Sequence, residues 1–200
     1  MMNLDLHALI KTWRLPLIVA LLAVLAQAFG LAQTLQYQRG LIAHGELWRL
    51  LTGNLVHLGW VHLGRDLLGL FLIWLYFFPY QSERAWLMLM LTAGLAVSLG
   101  LFVLSPQIKW YVGLSGMEYG LFCAGALLEW KRSRWLSIVM LVLMWALVSY
   151  TVAVGPLPGE DAGLGGPIVS QAHLYGALGG LAFILLQQGL PKLLAAGATD

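Results

Sequence analysis

Nine residues, Val112-Gly-Leu-Ser-Gly-Met-Glu-Tyr-Gly120, place one hydroxyl between glycines at the start of an apolar segment. Because glycine has no Cβ, another backbone or a substrate carbonyl can come close to Ser115. Ser115 and Tyr119 are four residues apart and would share one helix face. Two interpretations follow: a nucleophile at a helix start, or a packing face in which the Ser115 hydroxyl bonds its own backbone. The nucleophile requires a base elsewhere in the chain.

The composition indicates an integral membrane protein. Of the 200 residues, 60% are hydrophobic and 10% are charged, which excludes an ordinary soluble domain. Six apolar runs each have the roughly 17 to 25 residues that a helix needs to cross a bilayer. These runs are residues 15–31, 62–78, 85–104, 111–130, 135–154 and 168–188. The sequence therefore predicts an all-α bundle of six transmembrane helices.

The placement of basic residues predicts the orientation of this bundle. With six spans both termini lie on one side, together with Lys11, Arg14, Arg84, Lys131, Arg132, Arg134 and Lys192, while Arg39, Arg49 and Lys109 lie on the other. The positive-inside rule then puts both termini in the cytoplasm. The expected division is a cytoplasmic lead (residues 1–14), a six-helix domain (15–189) and a cytoplasmic tail (190–200). Ser115 would lie about one turn below the extracytoplasmic surface.

Two loops on the outer side have distinctive compositions. Residues 32–54 mix apolar and polar side chains over more than twenty positions, which indicates a loop that is partly embedded and packed on itself. An ordinary interfacial loop anchored by Trp48 is the alternative. Residues 155–167 are rich in glycine and proline, and they predict a mobile, helix-free gate before the last span.

Ionisable side chains lie inside the second apolar run. His62 and Asp66 are four residues apart and share a helix face, whereas Arg65 lies about 100° around the helix from Asp66. Such groups are costly in a membrane and by default mark a site or face a partner. His57 precedes the run and is equally typical of a histidine at the water interface.

A base for Ser115 is available at the start of the last apolar run. His173 lies beside a stripe of small residues, Ala172, Gly176 and Gly180, which lets this helix pack closely on a neighbour. In the predicted topology His173 has the same depth as Ser115. The sequence therefore predicts a serine–histidine dyad that needs no acidic partner.

The dyad chemistry gives roles to further residues. A neutral histidine accepts the serine proton, and Tyr119 could stack on the imidazole and hold its orientation. The Ser115 N–H and the His62 side chain are the expected oxyanion donors. The expected paths for water and substrate are lined by His57, Trp48, Arg49 and Gln171. The predicted reaction is hydrolysis of a peptide bond in or beside a membrane-embedded protein.

A metal site is the alternative use of these side chains. Four histidines and two carboxylates fall toward the outer side, but no HExxH spacing occurs, and His57 and His62 are five residues apart rather than four. We therefore expect neither a metal nor another cofactor. The small net charge of +2 gives no indication of a nucleic-acid partner. The expected partners are the lipid bilayer and a membrane-anchored protein substrate.

Taken together, these residues resemble the rhomboid family of intramembrane serine proteases. Four elements occur in family order: Glu46-Leu-Trp-Arg49, the histidines His57 and His62, Gly113-Leu-Ser-Gly116 with Tyr119, and Ala172-His173 followed by Gly176 and Gly180. The resemblance extends over essentially the whole chain. The short length and residues 48–70 look most like the rhombosortases, bacterial rhomboids thought to process secreted proteins with a Gly-Gly C-terminal sorting tail.

The resemblance implies a Ser115–His173 dyad with a supporting set of residues. His62 and the residue at position 66 would lie beside the oxyanion, Gly113 and Leu114 would support it, and Tyr119 would pack on His173. It also implies an enzyme of the bacterial inner membrane whose active site opens to the periplasm. Its substrate would enter from the lipid side near the second and fifth helices.

Two acidic residues depart from the expected pattern. The family usually has Asn at the position of Asp66, and an amide can donate to an oxyanion whereas an ionised carboxylate repels it. Protonation of Asp66, or its neutralisation by Arg65, would preserve function. Glu118, inside the fourth span, is interpreted as a snorkelling or partner-facing acid.

Two other functions remain open at this point. A rhomboid-like pseudoprotease would bind membrane helices without cutting them, and Asp66 is the only residue that favours it. A transporter is less consistent with the sequence, since no inverted repeat or pair of broken helices is evident.

Overall fold

The computed structural model describes residues 6–188, with side chains from residue 12 onward. The helices are α1 (Leu6–Ala28), α2 (Ala32–Leu35), α3 (Arg39–Ala43), α4 (Arg49–Thr52), α5 (Trp60–Phe77), α6 (Glu83–Leu104), α7 (Ser115–Glu129), α8 (Arg134–Ala153) and α9 (Ser170–Gln188), with 3-10 turns at Gly53–Leu55 and Phe78–Tyr80. Two short strands, β1 (Tyr37–Gln38) and β2 (Trp110–Tyr111), form an antiparallel pair. The predicted tail, residues 190–200, lies outside the described residues.

The prediction of an all-helical membrane protein is confirmed. Each of the six apolar runs forms a long helix, namely α1 and α5 to α9. Residues Trp60–Tyr80, Glu83–Leu104 and Arg134–Ala153 are long and apolar enough to cross a membrane, and Thr12–Ala28 forms a shorter apolar stretch. That all six helices cross the bilayer stays a prediction.

Two predicted helix boundaries are wrong. The first helix begins at Leu6 rather than residue 15, so the described part of the predicted cytoplasmic lead belongs to α1. The fourth helix begins at Ser115 rather than residue 111, because residues 110–111 pair with β1 and Gly113 takes a φ of 121° that ends the extended segment. The Gly113 N–H donates to the carbonyl of Gly53 at 3.2 Å instead of joining a helix. Ser115 is therefore the first residue of α7.

Helix α7 lies at the centre of the bundle, where it packs against α5, α6, α8 and α9. Its closest neighbour is α9, because glycines face each other along the contact. A Cβ on Gly176 would collide with the carbonyl of Gly116, and a Cβ on Gly180 would collide with that of Gly120. The two backbones therefore touch, as the small-residue stripes predict. This contact positions the N-terminal ends of α7 and α9 side by side.

The first long loop, residues 32–54, folds on itself around one arginine. Arg49 is 5% exposed, and its Nε donates to Glu46 Oε2 at 2.7 Å. Its Nη1 donates to the carbonyls of Gln33 and Gln36 at 3.2 and 2.9 Å. Arg49 therefore closes the loop by satisfying backbone acceptors. The depth of the loop in a bilayer stays a prediction.

Candidate active site

Ser115 and His173 lie within hydrogen-bond distance at the adjoining ends of α7 and α9. The Ser115 Oγ is 3.1 Å from the His173 Nε2. His173 is 5% exposed, and among the described residues its Nδ1 has no hydrogen-bond partner. The pair has the arrangement that a nucleophile and a base would need without an acidic third member, and the catalytic roles stay a prediction.

Tyr119 fixes the plane of the histidine. Its ring lies parallel to that of His173, with a centroid distance of 4.4 Å and an interplanar angle of 17°. Tyr119 is one turn after Ser115 on α7, so the same helix positions the Ser115 hydroxyl and the ring that packs on His173. Stacking restricts rotation of the imidazole and keeps Nε2 directed at Ser115.

A cavity of about 190 Å³ lies above the dyad. His62 and Asp66 of α5 line its wall together with Ser115, Tyr119 and His173. The loop between α8 and α9 covers it through Glu160, Leu164, Gly166 and Pro167. The structure thus brings five of the predicted site residues to one cavity.

Asp66 gathers several donors onto a single carboxylate oxygen. Its Oδ2 accepts from the backbone N–H groups of Leu114 and Ser115 at 2.8 and 3.2 Å. The same oxygen lies 3.1 Å from the Nε2 of His57 and 3.5 Å from the Nε2 of His62. A carboxylate at the start of α7 also interacts favourably with the helix dipole. Asp66 therefore accepts the hydrogen bond of the Ser115 N–H, which is the group expected to bind an oxyanion.

The hydrogen bonds around His62 assign its tautomer. The Leu58 N–H donates to its Nδ1 at 3.4 Å, so the proton of the neutral ring lies on Nε2. This Nε2–H faces Asp66 and the cavity. Gly113 passes close beside it, since a Cβ at that position would lie 2.9 Å from the His62 Nε2. Gly113 is thus required both by its positive φ and by this close approach.

His57 does not lie at the water interface. It is 1% exposed, bonds Asp66, and packs edge-on against His62 with a centroid distance of 5.0 Å. Its position supports Asp66 rather than a path for water. Trp48, Arg49 and Gln171 are likewise absent from the cavity wall, so the structure does not bring these predicted access residues to the site.

Arg65 does not neutralise Asp66. Its Nη1 donates to the carbonyl of Glu160 at 2.8 Å and its Nη2 donates to that of Ala162 at 3.0 Å. Because Arg65 lies around the helix from Asp66, its long side chain reaches the loop that covers the cavity. The partners of Asp66 are instead the two histidines and the backbone before α7.

Tyr111 is a site residue that the sequence analysis missed. It is buried beside the dyad, where its hydroxyl donates to the carbonyl of Gly113 at 2.8 Å and accepts from the Gly116 N–H at 3.3 Å. These bonds stabilise the turn that places Ser115 at the start of α7. The only signal for it in the sequence is a tyrosine four residues before the serine.

In the part of the chain that the structure describes, no group of three His, Cys, Asp or Glu side chains is arranged to hold a metal ion.

Comparison with known proteins gives the family. Residues 44–188 match the Rhomboid domain. The chain is 31% identical over 166 residues to rhomboid protease GluP of Bacillus subtilis, covering 80% of this chain but only 30% of that protein. It is 27% identical over 149 residues to the rhomboid relative YdcA of the same organism, covering 74% of this chain and 71% of YdcA. The matched domain, the two relatives and the geometry around Ser115 agree, and the chain belongs to the rhomboid protease family.

Proposed function

We propose that this chain is an intramembrane serine protease that cleaves membrane-anchored proteins, with Ser115 as nucleophile and His173 as base. The observation that carries the proposal is the 3.1 Å contact between Ser115 Oγ and His173 Nε2 in a cavity shared with His62 and Asp66. A serine next to an oriented neutral imidazole is the minimum set of groups for acyl transfer.

The reaction follows from this geometry in two halves. His173 Nε2 accepts the Ser115 proton as Oγ attacks the scissile carbonyl, and it then protonates the departing amine. Water attacks the resulting acyl-enzyme and loses a proton to the same nitrogen. His173 then gives that proton to the Ser115 Oγ as the bond between Oγ and the acyl carbon breaks, which releases the carboxylic acid and restores the dyad. Since His173 Nδ1 has no partner among the described residues, stacking by Tyr119 orients the base.

The length of α7 supports a reaction below the membrane surface. Its 15 residues span about 22 Å, less than the roughly 30 Å of a hydrocarbon core. Lys131, Arg132 and Arg134 directly follow the helix and would hold that end at the cytoplasmic interface. Ser115 would then lie about 8 Å short of the outer edge of the hydrocarbon core. Non-helical backbone at such depth is tolerated where protein surrounds it, and residues 113–115 have partners in Gly53 and Asp66.

We further propose that the substrates are secreted proteins with Gly-Gly C-terminal sorting tails. Support comes from residues 48–70, which resemble the rhombosortases. In this proposal the enzyme lies in the bacterial inner membrane with six crossings, cytoplasmic termini and a periplasmic active site.

Cleavage of a membrane-anchored reporter tests the proposal. The reporter carries a Gly-Gly motif, a transmembrane helix and a basic cytoplasmic tail. We expect wild-type protein in membranes to cut it and both Ser115→Ala and His173→Ala to abolish cutting. Ser98→Ala is the matched control, because Ser98 is a fully buried serine of α6 whose hydroxyl has no partner among the described residues. Labelling of Ser115 by a fluorophosphonate gives a second readout that does not require a substrate.

A pseudoprotease is the second candidate, and one observation favours it. Asp66 Oδ2 holds the Leu114 and Ser115 N–H groups, and an oxyanion would have to displace it. A wild-type protein that binds the reporter but neither cuts it nor reacts with the fluorophosphonate would establish this second function.

A further inference from the structure

A second cavity, of about 530 Å³, lies between α5, α7 and α8. Apolar side chains form most of its wall, including Ile73 of α5 and Phe122 of α7. The α8 side is contributed by Leu136, Val139, Met140, Leu143, Met144 and Leu147. Among the residues that the structure describes, Glu118 of α7 is the only carboxylate on this wall, and no basic side chain lines it. We call this cavity the α5–α8 groove.

Glu118 is a buried acid, and one of its two carboxyl oxygens lacks a partner among the described residues. It is 8% exposed, and its Oε1 has no hydrogen-bond partner among the described residues. Gly69 of α5 leaves the space for its carboxylate, because a Cβ there would collide with Oε2. A buried carboxyl group in an apolar membrane environment is costly unless it meets a donor. The part of the chain that the structure describes leaves space for this group but gives its Oε1 no donor.

The groove and the cavity at Ser115 and His173 share one wall residue. Tyr119 lies on the wall of the α5–α8 groove and also on the wall of the cavity above the dyad. Glu118 is three residues after Ser115, which is about 4.5 Å further along the axis of α7. A polypeptide whose scissile bond is at Ser115 and whose membrane segment lies in the groove would therefore pass Glu118 about one turn beyond the bond.

We propose that Glu118 is a specificity-determining residue that selects membrane segments carrying a side-chain hydrogen-bond donor about one turn beyond the scissile bond, toward the membrane centre. This inference rests on the proposed protease function. The donor is an amide or hydroxyl, as in Asn or Ser, or an ammonium, as in Lys; both give the carboxyl oxygen the partner it lacks. Side-chain hydrogen bonds within membranes are worth enough to change rates roughly threefold to twentyfold.

Reporters that differ at one position test this selection. Leu, Asn or Lys is placed in turn three, four and five residues beyond the scissile bond, and kcat/KM is measured for each reporter. We expect wild-type enzyme to prefer Asn or Lys over Leu by roughly threefold to twentyfold at one of these positions. Glu118→Leu should abolish the preference. Glu118→Gln should keep the preference for Asn over Leu. It should lose the preference for Lys if that preference depends on the carboxylate charge, and keep it if a neutral acceptor suffices. Equal rates for all reporters, or a preference that survives Glu118→Leu, would overturn the proposal.

Further variants separate this proposal from general damage and from the protease function itself. Glu129→Gln is the matched control, since Glu129 is also a buried acid of α7 but bonds Tyr80 away from the groove; it should leave the preference unchanged. Gly69→Ala should weaken the preference by displacing the Glu118 carboxylate, and it keeps the proposal testable if Glu118→Leu does not fold. Ser115-dependent cleavage of the Leu reporter without any donor preference refutes only the role of Glu118. Absence of Ser115-dependent cleavage refutes the protease function.

Discussion

At the level of single residues, the main chemical question is whether Asp66 and an oxyanion at Ser115 need the same hydrogen-bond donors. Its Oδ2 holds the backbone N–H groups of Leu114 and Ser115 and faces the Nε2 atoms of two histidines. An oxyanion at Ser115 would need the same donors, and an ionised carboxylate can accept but not donate. In the proposed reaction, the group that organises the turn before α7 would therefore also compete with the transition state.

We expect Asp66→Asn to be at least as active as wild type. The amide oxygen can still accept from the Leu114 N–H, while its nitrogen donates to the oxyanion and the negative charge is gone. One oxyanion donor is typically worth about 100-fold to 1,000-fold in kcat. Reporter cleavage and fluorophosphonate labelling measure the change. A clear loss of both would show that the carboxylate has a catalytic role of its own.

Asp66→Ala separates charge from hydrogen bonding. It leaves two backbone N–H groups and a buried His57 without an acceptor, which costs about 1–3 kcal/mol per unsatisfied donor. We therefore expect a lower thermal stability in detergent and little activity. An alanine variant as stable as Asp66→Asn would contradict the structural role given to this carboxylate.

At the level of elements, the contact between α7 and α9 holds the dyad together. Gly176→Ala places a methyl group against the Gly116 carbonyl, where only glycine fits. Separating the two backbones should lower the free energy of unfolding by about 1–3 kcal/mol and moves His173 away from Ser115. A displacement of 1 Å can cost about 100-fold in rate. Thermal denaturation and the labelling rate of Ser115 report the two effects.

Gly64→Ala provides the matched control for this substitution. Gly64 is also a helical glycine, but a Cβ there meets nothing within 4 Å. Alanine at that position should leave stability unchanged or raise it, because it improves helix propensity. Similar losses in Gly64→Ala and Gly176→Ala would show that glycine content in general, rather than the α7–α9 contact, determines activity.

The loop between α8 and α9 is held over the cavity by Arg65. Its two hydrogen bonds to the Glu160 and Ala162 carbonyls are exposed to solvent. They therefore hold the loop over the cavity only weakly. We expect Arg65→Gln to open the cavity and to speed fluorophosphonate labelling by about threefold to tenfold. Lys109→Gln is the control, because Lys109 also donates to a loop carbonyl, that of Pro106, but is absent from the cavity wall. Slower labelling in Arg65→Gln would mean that the closed loop helps to bind the reagent.

The whole molecule shows which features the sequence can predict. Apolar runs locate the long helices, and small-residue stripes beside Ser115 and His173 predict close packing, because both depend on local residue type. The start of α7 was misplaced since it depends on pairing between β1 and β2, which are about seventy residues apart. The roles of His57 and Arg65 depend on side-chain direction, which spacing along one helix does not define. Distant partners explain each of these differences.

The orientation of the whole bundle is a prediction from charge alone. Lys131, Arg132 and Arg134 follow α7, so its Ser115 end should face the periplasm. Cysteine accessibility in a Cys123→Ala background measures this, because Cys123 is the only cysteine in the chain. A membrane-impermeant maleimide applied to intact spheroplasts should label Gln107→Cys and Asp161→Cys, and it should label Arg132→Cys only after permeabilisation.

The reverse labelling pattern would have a chemical consequence as well as a topological one. It would place the cavity above Ser115 on the cytoplasmic side, where a secreted protein could meet the dyad only before translocation. Cleavage of the Gly-Gly reporter should then depend on blocking its export, whereas the orientation proposed here requires export first. Pulse-labelled reporter that is cut only after translocation would therefore join the topology of the bundle to the function of its active site.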